Sequence, residues 1–267
     1  MKVMHVFVLL LLCSLIYADG IAYQAAVLSD NPVGYWKLDE SSGSIATDLS
    51  GYNNNGTYYN VHFGYADPFG GNSAALFSAS YGSYVNISDS GSSSLDVSYL
   101  TMEAWISPNN YNVSGDRGMV MNKENTWELG IEDNSGNFQT ALSTNSNTWA
   151  WRGSHQVPVN NWSHVVVTYD GSQVKHYQDG QLVDSYTYAG TLIHNDNDFR
   201  IGARGGDGGA SSYFEGLMSE VSIYSYALSA TTISNHYNAA FTTVPELNSL
   251  LFVALAGAFF LSRTKKH

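Results

Sequence analysis

Two Asp-Gly pairs, nine residues apart, constrain this chain most. They are Asp170-Gly171 and Asp179-Gly180 in "NNWSHVVVTYDGSQVKHYQDGQLVDSYTY", residues 160–188. Each joins two runs of alternating side chains. Glycine accepts the positive φ that a tight reversal requires, so Asp-Gly between such runs marks a β-hairpin. Successive hairpins build an antiparallel sheet. The same stretch holds Ser163, His164 and Asp170, the three residue types of a hydrolase triad. Strand parity separates them. Trp162, His164, Val166 and Thr168 point one way, and Ser163, Val165, Val167 and Tyr169 the other. Asp170 is better used to start the turn. No "GxSxG" elbow is present. A structural His164 is expected, packed in or beside the core with its ring nitrogens satisfied.

The rest of the chain repeats the pattern. "GYWKLDE", "SAALFSA", "SYVNIS", "LTMEAWISP", "WELGIED", "FQTALS", "DFRIGAR" and "GLMSEVSIYS" read as short strands. In "LTMEAWISP", Met102, Ala104 and Ile106 share one face, and Glu103 and Trp105 the other. Asn134-Ser135-Gly136 marks a further turn. No strand–helix–strand rhythm occurs, which argues against a parallel sheet. One helix is expected in "LSATTISNHYNAA", capped by Ser229, with Ala230, Ile233 and Tyr237 near one face. No repeat or linker interrupts residues 21–240. The expected fold is all-β: one domain of two antiparallel sheets packed face to face, with one short C-terminal helix.

Both ends read as separable. Residues 1–19, "MKVMHVFVLLLLCSLIYAD", have a basic start and an apolar core from Val6 to Ile16, as a secretory signal peptide does. The single cysteine, Cys13, lies inside it, and Leu12 stands where a lipoprotein site would have a small residue. The mature protein would then hold no disulfide. Residues 242–267 contain an apolar run, Leu250–Leu261, followed by Arg263, Lys265 and Lys266. Residues 247–261 approach a short membrane span with a cytoplasmic basic end. An amphipathic terminal helix is the other reading, although the run has no polar face. The net charge is −12, and from Asp19 to Thr243 seven basic residues against twenty-two acids leave −15. Nucleic-acid binding, which needs clustered Lys and Arg, is excluded.

"WSHVVVTYDGSQVKHYQDGQLV" resembles the signature of the LamG-like jelly roll of the concanavalin A-like lectin/glucanase superfamily. Trp162, His164, Val165, Tyr169, Asp170, Gly171, Tyr177, Asp179, Gly180 and Leu182 carry the match. "VGYWKLDESSG", "DLSGYNNNG", "LTMEAWISP", "RIGAR" and "FEGLMSEVSIYSYALSATTI" agree in order. The resemblance implies one sandwich over residues 20–241. It leaves function open, because this fold carries lectins, enzymes, adhesion modules and spacers. The tail, from Val244-Pro245-Glu246 through the apolar run to the basic end, resembles the PEP-CTERM sorting signal, with Leu247 in place of its second proline. That resemblance implies an exosortase-type processing enzyme and a place at the cell surface.

Three candidate sites follow. Glu128 and Glu132 in "ELGIE" lie at i and i+4 on one strand face, as do the paired glutamates of some related glucanases, whose intervening aspartate is here Gly130. Without that aspartate, both glutamates are expected to be solvated. The resemblance also suggests a structural Ca²⁺ held by Asp48, Asn54 and Glu220. Ser219 stands where relatives commonly have another acid. An Asx-rich turn satisfied by its own backbone is the favoured alternative for "DLSGYNNNG". Third, "NTWAWRGS" places Trp149 and Trp151 on one face, where exposed rings could stack on sugars, with Arg152, Asn145 and Asn147 supplying hydrogen bonds. Burial of one or both Trp in the core is the alternative. The leading expectation is an exported, non-enzymatic recognition or adhesion module for a glycan or matrix polymer. A polysaccharide hydrolase and a ligand-free spacer are the alternatives.

Overall fold

The structure is a computed structural model describing residues 20–71, 73–89, 93–111, 116–205 and 209–242. The expected signal peptide and nearly all of the expected sorting tail lie outside the described residues. The elements run α1 (Ile21–Ser29), β1 (Gly34–Trp36), β2 (Ile45–Ala46), β3 (Gly56–Tyr59), β4 (His62–Tyr65), β5 (Ala74–Phe77) and β6 (Tyr84–Ile87). Then follow β7 (Leu100–Pro108), β8 (Arg117–Lys123), β9 (Trp127–Glu132), β10 (Asn137–Leu142), β11 (Arg152–Gln156) and β12 (Ser163–Tyr169). The chain closes with β13 (Gln173–Gln178), β14 (Gln181–Thr187), β15 (Phe199–Ile201), β16 (Gly216–Tyr224) and α2 (Ala230–Ala239).

These strands form two antiparallel sheets. The first has the order β14-β13-β12-β7-β16-β5-β4, with β1 also paired to β16; the second runs β11-β10-β9-β8-β15-β6-β3-β2. Pairings such as β12 with β7 and β15 with β6 join strands distant in sequence, as a jelly roll requires. The hairpins are those the sequence marks. Asp179 and Gly180 adopt φ of 50° and 75°, the two positive values of a type I′ turn. Asp170 caps the other turn, its Oδ1 accepting from Ser172 N and Gln173 N at 2.9 and 2.8 Å.

The main core lies between the sheets and includes Trp36, Phe77, Met102, Trp127, Phe138 and Phe199. Each such burial stabilises by about 1.5–3 kcal/mol. A second layer covers the outer face of the first sheet, where Trp105, Val166 and Tyr177 meet α1 and α2. Ser229 caps α2 as expected, accepting from Thr232 N at 3.1 Å. Ile233 and His236 are its buried residues, with Tyr237 partly covered. The sequence expectation of one helix is corrected by α1, which docks through Tyr23 and Val27. No helix among the described residues is long and apolar enough to cross a membrane.

Strand parity holds as expected in β12. Val165, Val167 and Tyr169 enter the main core, while Val166 joins the outer layer. Ser163 pairs with Ile106 and His164 with Trp105, so their side chains lie on opposite faces. His164 is fully buried. Its Nε2 contacts Glu103 Oε1 at 2.7 Å, whereas its Nδ1 has no hydrogen-bond partner among the described residues. The expectation that both ring nitrogens are satisfied is thus corrected for one.

Candidate functional site

The helices occupy the outer face of the first sheet; the outer face of the second carries a row that is polar from Thr57 to Glu128. Register places Thr57, Asn86, Arg200, Asn122, Glu128 and Ala141 side by side across β3, β6, β15, β8, β9 and β10. The period of two sends their neighbours Val85, Ile201, Met121 and Leu129 into the core. A second row holds Met119, Gly130 and Gln139.

The centre of this face is a linked network. Arg204, from the segment after β15, donates Nη2 to both Glu128 oxygens at 3.3 and 3.1 Å, and Nε to Glu124 Oε2 at 3.2 Å. Asn122 Nδ2 also reaches Glu124 Oε2, at 3.2 Å. Arg200 Nε donates to Asn86 Oδ1 at 3.0 Å, and its Nη1 to Arg204 O at 3.1 Å. Glu128 is fully buried, which corrects the solvated placement expected of it. Burial pushes its carboxyl up to about 8, with the Arg204 guanidinium opposing and Glu124 adding to the rise. Glu132, by contrast, is partly exposed and accepts from Ser135 Oγ at 2.7 Å. The two glutamates are therefore held by separate partners, with the side-chain-free Gly130 between them.

Trp149 and Trp151 do come together, at the β11 end of this face. Their centroids are 6.1 Å apart, but the planes meet at 84°. Their rings form a corner just before β11 begins at Arg152. Both rings are partly exposed. Arg117 lies over Trp151 with its Cζ 4.4 Å from the ring centroid, while its Nε and Nη2 donate to Gln139 Oε1 at 3.1 and 3.0 Å. Arg152 does not join them. It is exposed and lies over Tyr186 of β14, 5.4 Å from that ring, at the edge of the other sheet. Asn145 Oδ1 and Asn147 Nδ2 tie their loop to Thr191 N and Ala189 O. Sequence reasoning missed Arg117, Gln139 and Arg204. The outward parity of the first two is readable on their strands, whereas Arg204 arrives from a distant loop.

The suggested calcium ligands are committed elsewhere. Asp48 Oδ1 accepts from Tyr35 N and Ser50 N, both at 2.9 Å; its Oδ2 accepts from Ser50 Oγ and Asn54 N, both at 2.8 Å. Asn54 Nδ2 donates to Val33 O at 2.7 Å. Glu220 is buried and accepts from the Tyr35 hydroxyl; burial pushes it up to about 8, so near neutral pH it tends to keep its proton. Among the described residues no group of three or more His, Cys, Asp or Glu gathers as a metal site. The set thus does not fit a Ca²⁺ ion as arranged: the Asp48 carboxylate closes an Asx turn and fixes β1.

The chain belongs to the concanavalin A-like lectin/glucanases superfamily. The Laminin_G_3 family model, so described, matches residues 79–234, more than half of the chain. No curated protein matches. Solved structures share the fold. The binding domain of Paraclostridial Mosquitocidal Protein 1 is similar over 79% of this chain and 52% of its own, with 17% identity and a TM-score of 0.62. The binding domain of Botulinum Neurotoxin DC in complex with SialylT aligns over 80% and 52%, with 16% identity and a TM-score of 0.62. Domain 4 of AbnA, a GH43 extracellular arabinanase from Geobacillus stearothermophilus, in complex with arabinotriose, aligns over 78% and 98%, with 16% identity and a TM-score of 0.58. The chain spans about half the length of the toxin binding domains.

Proposed function

We propose that this protein is an exported, non-enzymatic recognition module that binds a carbohydrate polymer on the outer face of its second sheet. The observation that carries this reading is the Trp149–Trp151 corner, with Arg117 and Gln139 beside it on a face that no helix among the described residues covers. Aromatic rings offer flat apolar surfaces to the CH faces of a pyranose, and amide and guanidinium groups hydrogen-bond its hydroxyls. The relatives complexed with SialylT and arabinotriose support the same ligand class. In the proposed life of the protein, residues 1–19 direct export. The tail, through residues 247–261, meets the membrane and an exosortase-type enzyme, which leaves the domain at the cell surface. A glycan array probed with purified protein tests the binding. Signal on a polysaccharide that Trp151→Ala abolishes supports it; no signal on any glycan refutes it.

One observation favours a hydrolase reading. Burial holds the Glu128 carboxyl at about 8, and a carboxylic acid that keeps its proton near neutrality suits general-acid work. Against it, both Glu128 oxygens accept from Arg204 and no carboxylate occupies position 130. Glu128→Gln leaving polymer binding intact, with no hydrolysis in either form, separates the two readings.

A further inference from the structure

Lys123, the last residue of β8, points its side chain between the sheets and is fully buried. A lysine ammonium is a compact, strongly hydrated charge, so burying it requires a complete replacement for its water. The protein supplies three oxygens from two chain segments. Nζ donates to Asp89 Oδ2 at 2.6 Å, to Asn195 O at 2.9 Å and to Asn197 O at 2.9 Å. These use all three ammonium protons. Asp96 Oδ1 stands at 3.6 Å, near enough for an ion pair but too far for a hydrogen bond. Asp89 is 3% exposed, yet its second oxygen, Oδ1, is buried with no hydrogen-bond partner among the described residues, and Asp96 Oδ1 is likewise buried with none.

The chamber therefore holds two carboxylates and two backbone carbonyls around one positive charge. That leaves one negative charge in excess, and two carboxylate oxygens without a hydrogen bond among the described residues. Hard oxygen donors of this kind, in loops rather than on a rigid strand ladder, are what Ca²⁺ selects. The ammonium sits where such an ion would sit.

We propose that Lys123 is the built-in cation of a calcium-type oxygen cage, so that the loops it joins are fixed without metal, and that the cage takes Ca²⁺ once the ammonium is removed. The lock bears on the outer face of the second sheet, because the neighbouring Glu124 carbonyl accepts from Asn195 Nδ2 and Asn197 Nδ2 at 2.8 and 2.9 Å. The Glu124 side chain in turn holds Arg204 and Asn122. The cage is independent of whether that face binds a glycan.

The test melts the full chain and its variants in EDTA and in about 5 mM CaCl2 or MgCl2. Wild type should melt at the same temperature in all three. Lys123→Ala should melt about 6–20 °C lower in EDTA, since one partner of a buried ion pair is lost. CaCl2 should recover at least half of that drop by binding the native state. MgCl2, which demands a stricter octahedron, should recover little. Adding Asp89→Asn to Lys123→Ala should abolish the recovery. If Lys123→Ala does not fold in EDTA, folding on addition of CaCl2 supports the cage. Lys123→Ala folded but indifferent to CaCl2 overturns it. So does failure of both Lys123→Ala and Lys123→Gln to fold with CaCl2, or a wild type that CaCl2 stabilises equally.

Discussion

Replacing Glu103 by Gln should destabilise the protein strongly and flatten its alkaline response. Glu103 is fully buried under the two helices. Its oxygens contact His164 Nε2 at 2.7 Å, the Tyr23 and Tyr224 hydroxyls at 2.9 Å each, and His236 Nδ1 at 3.0 Å. His236 Nε2 also meets Asp30 Oδ2 of the α1 C-terminus at 3.0 Å. One carboxylate thus ties α1, α2 and three strands together. The histidines hold it well below the usual carboxylate range, against the effect of burial. Glu103 and Asp30 raise His236 to about 9, again against burial. Removing one partner of a buried ion pair costs about 3–5 kcal/mol. In a domain of this size each kcal/mol shifts Tm by about 2–4 °C, so Tm should fall by about 6–20 °C.

The sign of the pH effect follows from the same two groups. His236 has a raised folded pKa, so its contribution is complete below about 6.5 and is lost as pH rises through about 9, a change of about 3 kcal/mol. Glu103 has a depressed folded pKa, so its contribution is complete above its ordinary value of 4.5 and is lost as pH falls below it. Glu128 and Glu220, both raised to about 8, also lose stability as pH rises, so the wild-type profile alone does not isolate the network. The difference between wild type and Glu103→Gln does. Thermal melts followed by circular dichroism should show the widest gap near about pH 5.5 and a clearly smaller one near about pH 9.5. A variant melting within about 2 °C of wild type at the lower pH, or a gap of constant width, refutes the reasoning.

Other perturbations separate the binding residues from the scaffold. Trp149→Ala and Trp151→Ala should each weaken retention in polysaccharide affinity gels, whereas Arg152→Ala, turned toward Tyr186, should migrate as wild type. Asp48→Ala orphans four donors around β1 and should lower stability by about 1–3 kcal/mol in urea titrations, equally in EDTA and in Ca²⁺. Ca²⁺ rescue through Asp48 would restore the metal reading of that loop. Truncation after Thr243 should leave a soluble, folded protein that is no longer retained at the cell surface. Full-length protein made without an exosortase should fractionate with membranes; its purification as a soluble monomer without detergent would contradict the sorting proposal.

The legible parts of this fold are those set by near neighbours. Asp-Gly and Asn-Ser-Gly mark hairpins through local backbone geometry, and parity placed Ser163 and His164 on opposite faces. The illegible parts depend on which distant segment covers a residue. Helix α1 has no side-chain cap and starts from Gly20 at φ 70°, so "IAYQAAVLS" carries no boundary signal. It forms against Trp105 and its neighbours on the first sheet. Glu128 has the pattern of an outward residue, and it is outward, yet Arg204 and its loop bury it. Lys123 sits unremarkably between Asn122 and Glu124; its partners come from positions 89, 96, 195 and 197. The near-perpendicular setting of the Trp149 and Trp151 rings was not legible, because both residues precede β11, where strand parity does not set ring orientation.

The proposed activity is binding of a carbohydrate polymer, without cleavage, on the outer face of the second sheet. The most direct measurement incubates wild type and Trp151→Ala with each polysaccharide of the panel, recording bound protein and released reducing ends from the same tube. Wild type should bind at least one polymer, Trp151→Ala should lose that binding with melting unchanged, and neither should release reducing ends. Reducing ends released by wild type, or binding that survives in Trp151→Ala, would contradict the proposal.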